Sequence, residues 1–433
     1  MVGAKGFLVF SSLFFYSWWN ISYLPIILTS MLFNYIVGNS LNENFKKVQL
    51  HKKSLLLFGI VVNLSLLGYF KYADFFISNI NLAFSSNIHL LHLALPLAIS
   101  FFTFQQIAYL VDSYRCETKE YDFLNYALFV TFFPQLIAGP IVHHKEMMPQ
   151  FASKWNLVKN YKNIALGLFV FSIGLFKKVV IADTFSKWAT LGFDSATSLN
   201  LIEAWATSLS YTFQLYFDFS GYTDMAIGGA LLFNIVLPIN FNSPYKSTNI
   251  QDFWRRWHIT LSRFLKDYIY IPLGGNRVSE FRVQANLMIT FLLGGMWHGA
   301  GWTFIFWGFL HGSALVIHRV WNNLGFKMNA ILGWFITFNF INISWVFFRA
   351  KEWDDAIKVL DGMFFGSFSL KDFHGDIYWQ VIVITLFVVF MKNSMELMKD
   401  FKTNYKTMIF FIIITLYGIL NINKISEFLY FNF

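Results

Sequence analysis

The sequence predicts an all-α membrane protein, a polytopic bundle of about ten to twelve helices in which short or re-entrant helices surround a central tunnel. Its 433 residues are 56% hydrophobic and only 13% charged, and the mean hydropathy is +0.50. Soluble domains carry about 25% charged residues. Runs such as 75–111, 283–318 and 328–348 contain no Asp, Glu, Lys or Arg. Because a spanning helix needs roughly 20 mostly apolar residues, these runs are long enough to cross a bilayer.

The charges concentrate outside the apolar runs. The net charge is +9, which in a soluble protein would suggest a nucleic-acid partner. Here lysines gather in short loops, for example at Lys392, Lys399, Lys402 and Lys406, as the positive-inside bias predicts. We therefore expect the lipid bilayer, and no nucleic acid, as a partner. The single cysteine, Cys116, excludes a disulfide or a multi-thiolate metal site within the chain.

The regularity of the predicted helices changes along the chain. The first apolar stretch, 7–37, is divided by "WWN" into two helices, and plain helices are predicted near 331–348, 377–391 and 407–421. The middle is broken: 132–151 contains three prolines and a Gly-Pro step. Irregular backbone at membrane depth must be sheltered by protein or a water-filled cavity. We therefore expect one domain over 1–433, with a catalytic core at about 130–320.

The segment 252–277 is predicted to be an amphipathic helix that lies at the cytoplasmic interface or enters the protein as a re-entrant element. At helical spacing, one face carries Trp254, Trp257, Leu261 and Leu265, and another carries Arg256, Arg263 and Asp267. The segment is too polar to face lipid along its length. It therefore belongs to the wall of the predicted cavity.

His298, in "GGMWHGAG", is the main candidate for a catalytic residue. Ionisable groups within membrane segments usually mark functional sites, and a histidine with a pKa near neutrality is the usual general base. Gly294, Gly295, Gly299 and Gly301 remove side chains around it, which we expect to leave room for a ligand, and Trp297 offers a flat wall. The alternative is a buried neutral histidine bonded to a backbone carbonyl.

Other polar residues could assist or serve the structure. His258, in "WRRWH", is the second candidate, and Arg255 and Arg256 beside it could bind phosphates or ordinary lipid headgroups. Asp218 and Asp224 could orient a histidine or bind substrate, but structural pairing with Lys or Arg is at least as good an interpretation. Lys177 and Lys178 could snorkel to the interface. Packing or hydrogen bonding is the favoured role of His311 and His318.

Several long motifs resemble the bacterial branch of the membrane-bound O-acyltransferase family, in particular its members that acetylate alginate, peptidoglycan and cellulose. The motifs are "QLYFDFSGYTDMAIG", "NFNSPY", "FWRRWHITLSRFLKDYIYIPLGGNR" and "GGMWHGAGWTFIFWGFLHG". They occur in order, and "FFPQLIAGPIV" and "GLFKKVVIAD" also fit. Two differences stand out. A first apolar helix of the relatives is absent or reduced to "MVGA", and His143 and His144 stand where relatives often carry Arg.

The resemblance implies an acyl transfer through a membrane-embedded tunnel in the bacterial cytoplasmic membrane. The family's catalytic histidine in a "WHG" setting matches His298, and its second polar position matches His258. The donor would be acetyl-CoA or another cytosolic thioester, with no resident cofactor or metal. Arg255, Arg256 and Arg263 would lie near its phosphates. An extracytoplasmic partner protein would complete transfer to a cell-envelope polysaccharide.

Two further hypotheses belong to different classes. A D-alanyl transferase of the same family would take its acyl group from a carrier protein. A non-enzymatic transporter or channel would show broken helices in both halves of the chain. In this sequence the breaks concentrate between residues 132 and 312, which disfavours a transporter.

Overall fold

The computed structural model describes residues 2–42, 49–118, 122–369, 376–422 and 429. Within these residues the protein is all-α, and no strand occurs. The α-helical segments are α1 (Val2–Trp19), α2 (Leu24–Asn42), α3 (Gln49–Leu67), α4 (Ala73–Phe84), α5 (Ile99–Tyr114), α6 (Phe123–Thr131), α7 (Phe133–Leu136), α8 (His144–Ala152), α9 (Tyr161–Phe176), α10 (Asp183–Thr190), α11 (Leu201–Leu231), α12 (Ile250–Arg256), α13 (Ile259–Leu265), α14 (Glu280–His298), α15 (Trp302–Asn323), α16 (Ala330–Arg349), α17 (Trp353–Phe365), α18 (Asp376–Phe390), α19 (Ser394–Lys399) and α20 (Tyr405–Leu420).

The all-helical prediction is confirmed, but the helical segments are more numerous than expected. One reason is that π-helical turns divide long apolar helices without ending them, for example Gly68–Tyr72 between α3 and α4 and Lys177–Ala182 between α9 and α10. Within the described residues, four continuous helices are long and apolar enough to cross a membrane: Ile21–Asn42, His51–Phe84, Tyr161–Ser195 and Ala330–Arg349. The shorter apolar helices α18 and α20 lie where plain helices were predicted.

The chain forms two compact units. The first contains the described parts of 1–168 and 226–238, and the second contains those of 169–225 and 239–430. Their boundaries fall within α9 and α11. One domain over the whole chain therefore stays a prediction.

In the first unit, buried amides join neighbouring helices. The predicted break at "WWN" is confirmed, because α1 ends at Trp19 and α2 begins at Leu24. Asn34 of α2 and Asn63 of α3 exchange two side-chain hydrogen bonds of 3.0 and 2.7 Å, and both are buried. Each amide is thus satisfied where water is absent, which fixes the pairing of these helices.

The predicted irregularity of 132–151 is also confirmed. α6 ends at Thr131, only the four residues of α7 are helical before Gly139 and Pro140, and α8 begins at His144. The segment is almost wholly buried, so the protein shelters its irregular backbone as expected. The close approach at Gly139 has no space for a side chain, since a Cβ atom there would lie 2.4 Å from Cα of Gln135.

In the second unit, α14 and α15 form a hairpin that carries one of the motifs. Glu280, at the start of α14, binds Arg319, near the end of α15, through two contacts of 2.9 and 3.0 Å. These residues mark one end of the hairpin, and His298 and Trp302 mark the other. The 19 residues of α14 separate the two ends by about 28 Å.

The segment 252–277 differs from the single amphipathic helix that the sequence predicted. α12 ends at Arg256 and α13 begins at Ile259, and His258 between them has φ 42° and ψ 54°. A left-handed residue cannot continue an α-helix, so the chain turns a corner here. Trp257 packs at this corner against Phe253, in a stack with centroids 5.7 Å apart, and against Trp345.

Candidate active site

The corner between α12 and α13 buries His258 completely, with 0% of its surface exposed. Its Nδ1 atom lies 3.1 Å from Oδ1 of Asn240. The same oxygen accepts hydrogen bonds from the backbone N–H of Thr260 at 3.1 Å and from its hydroxyl at 2.9 Å. Asn240 therefore holds both the histidine ring and the first turn of α13. This contact accounts for the left-handed backbone at His258, which the local chain would not adopt by itself.

These contacts define the tautomer of His258. A backbone N–H can only donate, so the Asn240 atom facing Thr260 must be the carbonyl oxygen. The Nδ1 atom of His258 must then carry the proton that this oxygen accepts, which leaves Nε2 with a lone pair. Burial lowers the pKa of His258 to about 3, so the ring is neutral at physiological pH. Nε2 is buried and has no hydrogen-bond partner within the described parts of the chain.

His298 is the last residue of α14 and is 4% exposed. Its ring contacts three aromatic rings edge-on: Trp297 at 4.9 Å, Trp307 at 5.1 Å and Phe348 at 5.0 Å between centroids. Trp297 also lies 6.3 Å from the ring of His258. A single indole is therefore in contact range of both predicted catalytic histidines, which the structure brings into one aromatic environment.

Two of the glycines around His298, Gly295 and Gly299, do not leave the space for a ligand that was expected from the sequence. A Cβ atom at Gly295 would lie 2.4 Å from the carbonyl oxygen of Phe304, and one at Gly299 would lie 2.2 Å from the Phe304 ring. Protein atoms thus fill the space at these two positions. At Gly295 the missing side chain lets α14 and α15 pack closely at Gly308, as small residues do between membrane helices. The expectation that Gly295 and Gly299 leave room for a ligand is therefore wrong.

A third histidine, His311, completes what we call the histidine cluster: His258, His298 and His311 with the rings of Trp297 and Trp307. Trp307 lies 4.6 Å from His311 and 5.1 Å from His298. The indole N–H of Trp254 donates to Nδ1 of His311 at 3.2 Å, so Nε2 carries the proton and donates to Ser344 at 3.1 Å. Both ring nitrogens have partners, which agrees with the hydrogen-bonding role favoured from the sequence.

A cavity of about 530 Å³ opens beside the α14–α15 hairpin. It extends from Arg319 and Asn323, at the Glu280 end, to Phe291 in the middle of α14. Trp254 forms part of its inner wall and is the residue bonded to His311. The lining contains three cationic side chains but no carboxylate. Its polar and charged members are Gln251, Arg255, Ser262, Lys266, Tyr270, Asn276, Thr290, His318, Arg319, Asn322 and Asn323.

Of the three arginines expected near donor phosphates, only Arg255 lines this cavity. Arg256 is held by Asp252, with two contacts of 3.0 Å, and Arg263 is half-buried outside the lining. Lys266 and Arg319 line the cavity together with Arg255, whereas Arg256 and Arg263 do not. The binding roles of Arg256 and Arg263 stay predictions.

Of the three tryptophans predicted to line the substrate site, only one borders this cavity. Trp254 borders the cavity, whereas Trp257 and Trp297 are buried and are absent from its described lining. His298 lies about two helical turns beyond Phe291, the last α14 residue of the lining. The rings of Trp254 and Trp307 occupy the intervening protein.

Asp218 and Asp224 of α11 belong to a separate group of ion pairs, which we call the ion-pair cluster. Its other members are Lys177, Lys178 and Asp183. Lys178 lies 2.6 Å from Asp218 and 2.9 Å from Asp183, and Lys177 lies 2.7 Å from Asp224. The second carboxylate oxygen of Asp218 accepts from the backbone N–H of Leu429 at 3.2 Å. Structural pairing, one of the two interpretations from the sequence, is therefore what these residues do. Asp218 lies outside the described cavity lining, and its role in substrate binding stays a prediction.

The sequence analysis missed three contributors to the site. Asn240 was noted only as part of the "NFNSPY" motif, although its side chain holds His258. Lys266 and Arg319 were not considered. For Arg319 a signal existed: Leu315, His318 and Asn322 share one helical face at the polar end of an apolar helix, and Arg319 adjoins it. No local pattern marks Asn240, because its partner lies 18 residues away.

Comparisons with known proteins agree with the motifs. A peptidoglycan O-acetyltransferase of Helicobacter pylori is 60% identical over 388 residues, which are 83% of this chain and 73% of the relative. A probable alginate O-acetylase of Pseudomonas aeruginosa is 42% identical over 372 residues, covering 84% of this chain and 71% of the relative. A teichoic acid D-alanyltransferase of Bacillus subtilis is 27% identical over 273 residues, 59% of this chain and 69% of that protein.

The family assignment rests on the match along most of the chain. The model of the membrane-bound O-acyltransferase family covers residues 13–350, which include both predicted catalytic histidines and the whole cavity lining. The apolar helices of the structure suit a membrane-bound enzyme. This chain belongs to the membrane-bound O-acyltransferase family and is an O-acyltransferase.

Proposed function

We propose that this enzyme transfers an acetyl group from acetyl-CoA to a hydroxyl group of peptidoglycan, across the bacterial cytoplasmic membrane. The 60% identity to a peptidoglycan O-acetyltransferase is the observation that carries the polymer assignment. An extracytoplasmic partner protein receives the acetyl group or presents the sugar. In this proposal His298 is the general base.

The cavity supports a phosphorylated thioester donor. Arg255 and Lys266 provide cationic donors at its open end, where a diphosphate would be neutralised; Arg319, which is paired with Glu280, also lines the cavity. Its inner wall, at Trp254 and Phe291, is apolar and suits the thioester arm. Polar recognition at the entrance and apolar walls within are the usual composition of a small-molecule site.

The reaction is a direct transfer. The acceptor hydroxyl gives its proton to His298 as its oxygen attacks the thioester carbonyl carbon. A new C–O bond forms, the C–S bond breaks, and the thiolate leaves and takes up a proton. A positioned general base of this kind contributes about 10²- to 10⁴-fold to the rate.

The role of His258 follows from its tautomer. A donor to the thioester or oxyanion would need a proton on Nε2, but Asn240 leaves a lone pair there. In this state His258 accepts a hydrogen bond. We therefore assign it to orient the acceptor hydroxyl, whose proton His298 removes.

The proposal is tested in a host strain that lacks peptidoglycan O-acetylation and expresses the extracytoplasmic partner. Wild-type protein should restore acetate that mild base releases from purified peptidoglycan, and His298→Gln should not. Membrane levels and monodispersity of both proteins are matched, because His298 is buried among aromatic rings. Equal acetate from the two proteins would overturn the base assignment.

The same hydrolysate distinguishes the second candidate, which the teichoic acid D-alanyltransferase relative supports. Release of D-alanine from teichoic acid, with no gain of acetate, would replace the proposed function by carrier-dependent D-alanylation. Acetate found on alginate but not on peptidoglycan would change the polymer and keep the reaction.

A further inference from the structure

Two cavities with different linings lie side by side in the first unit. One, which we call the polar cavity, has a volume of about 730 Å³ and a mixed lining whose polar members include Gln150, Lys159, Asn160, Asn163 and Asn234. The other, of about 220 Å³, has a mainly apolar lining that includes Leu8, Leu128, Phe151 and Phe233. Both are lined by Ser153 and Asn156, so they share a wall. From this arrangement we propose that the first unit binds an anionic phospholipid, with its headgroup in the polar cavity and part of one acyl chain in the apolar cavity.

The charge of the polar cavity favours an anionic headgroup. Lys159 is exposed and, within the described residues, forms no ion pair. No carboxylate lines either cavity. Basic residues near a membrane surface attract anionic lipids, and each contributes about fivefold to binding.

The wall of the polar cavity is fixed by amide hydrogen bonds. Asn234, with φ 58°, donates to the carbonyl oxygens of Trp155 and Val158 at 3.2 and 2.8 Å and accepts from Asn163 at 3.0 Å. Gln150 accepts from the backbone N–H of Val236 at 2.8 Å. Because these amides bind one another and the backbone, the loop keeps its shape without a ligand. A preformed cavity binds with a smaller ordering cost than a loop that must close.

The exposed side chains around the cavities place this region at a membrane surface. Trp155 and Tyr161 are each 76% exposed, and Leu157, which lines the apolar cavity, is 55% exposed. Trp and Tyr are enriched at membrane interfaces, where an apolar ring meets a polar headgroup layer. A soluble anion would use the polar cavity alone, whereas a phospholipid occupies both, and this is why we favour the phospholipid.

The test uses full-length protein reconstituted into vesicles of equal phosphatidylglycerol and phosphatidylcholine, then extracted in detergent. Mass spectrometry counts the lipids that stay bound. Wild-type protein should retain phosphatidylglycerol in preference to phosphatidylcholine. Lys159→Gln should lower this retention by about fivefold, the share of one lysine. Ala4→Phe, which projects a ring into the apolar cavity, should lower the retention of both lipids.

Each variant has a matched control. Lys154→Gln removes an exposed lysine that lines neither cavity, and Val2→Phe adds a ring two residues from Ala4, outside the lining. Both controls should retain lipid like the wild type. Monodispersity by size exclusion verifies that all four variants fold, as their exposure predicts. Equal retention of the two lipids by wild-type protein, or the same loss in Lys154→Gln as in Lys159→Gln, would overturn the proposal.

Discussion

Two buried polar clusters in the second unit differ in how their polar and charged groups are paired. In the ion-pair cluster, Lys177 lies 2.7 Å from Asp224, and Lys178 lies within 2.9 Å of both Asp183 and Asp218, so each carboxylate faces a lysine. In the histidine cluster, Nε2 of His258 is buried and has no hydrogen-bond partner within the described residues. A buried polar atom without a partner costs about 1–3 kcal/mol. From this comparison we expect the first cluster to serve stability and the second to serve chemistry.

The difference also appears within the histidine cluster. His311 has Trp254 and Ser344 on its two ring nitrogens, and no lone pair or N–H is left for a substrate. In His258, Nδ1 is bonded to Asn240, whereas Nε2 is buried and has no hydrogen-bond partner within the described residues. Burial alone therefore does not distinguish a structural histidine from a reactive one, whereas the count of its hydrogen-bond partners does.

The largest expected effect on stability belongs to the ion-pair cluster. Lys177→Met leaves Asp224 buried without its counter-charge, which should cost about 3–5 kcal/mol of unfolding free energy. The double variant Lys177→Met, Asp224→Leu should recover most of this loss, because neither charge remains. The measurement is the apparent Tm in detergent. As a control, Lys392→Met breaks the exposed pair with Asp400 and should leave the Tm unchanged. A similar drop in the single and double variants would contradict the comparison.

A smaller effect is expected on catalysis from the residue that holds His258. Asn240→Ala removes the acceptor for Nδ1 and for Thr260, so kcat should fall by about 10- to 100-fold, as for other supporting partners of functional histidines. Asn240→Asp keeps an acceptor oxygen and should restore part of the rate.

The measurement on the Asn240 variants must distinguish a misplaced His258 ring from a misfolded protein. Kinetics of CoA release from acetyl-CoA in the presence of acceptor give kcat and KM separately, and KM for acetyl-CoA should stay constant. Asn242→Ala, at an exposed amide two residues away, is the control. If Asn240→Asp were as slow as Asn240→Ala, the oxygen contact would not be the reason.

The smallest expected effect concerns donor binding. Arg255→Gln removes one cation from the cavity wall and should raise KM for acetyl-CoA by about tenfold with little change in kcat. Arg256→Gln is a matched control, because Arg256 is paired with Asp252 outside the lining. The same rise in KM for both variants would remove the distinction between the two neighbouring arginines.

The sequence predicted the helical class and the breaks at "WWN" and 132–151, since each follows from local composition. It failed where a partner is distant in the chain. Helical periodicity assigns Trp257 and Leu261 to one face of a single helix, but α12 ends at Arg256 and the corner at His258 lies between them. In the same way, glycines next to a histidine predict open space, and only the packing of α14 on α15 reveals that Phe304 fills it.

We expect His298 to remove the acceptor proton and the pairing of Lys177 with Asp224 to support only the fold. Acceptor-dependent CoA release is compared between wild-type enzyme, His298→Gln and the double variant Lys177→Met, Asp224→Leu, at equal amounts of monodisperse protein. The rate should fall at least about 100-fold in His298→Gln and stay close to wild type in the double variant. A wild-type rate in His298→Gln, or a silent but well-folded double variant, would show that these roles are wrong.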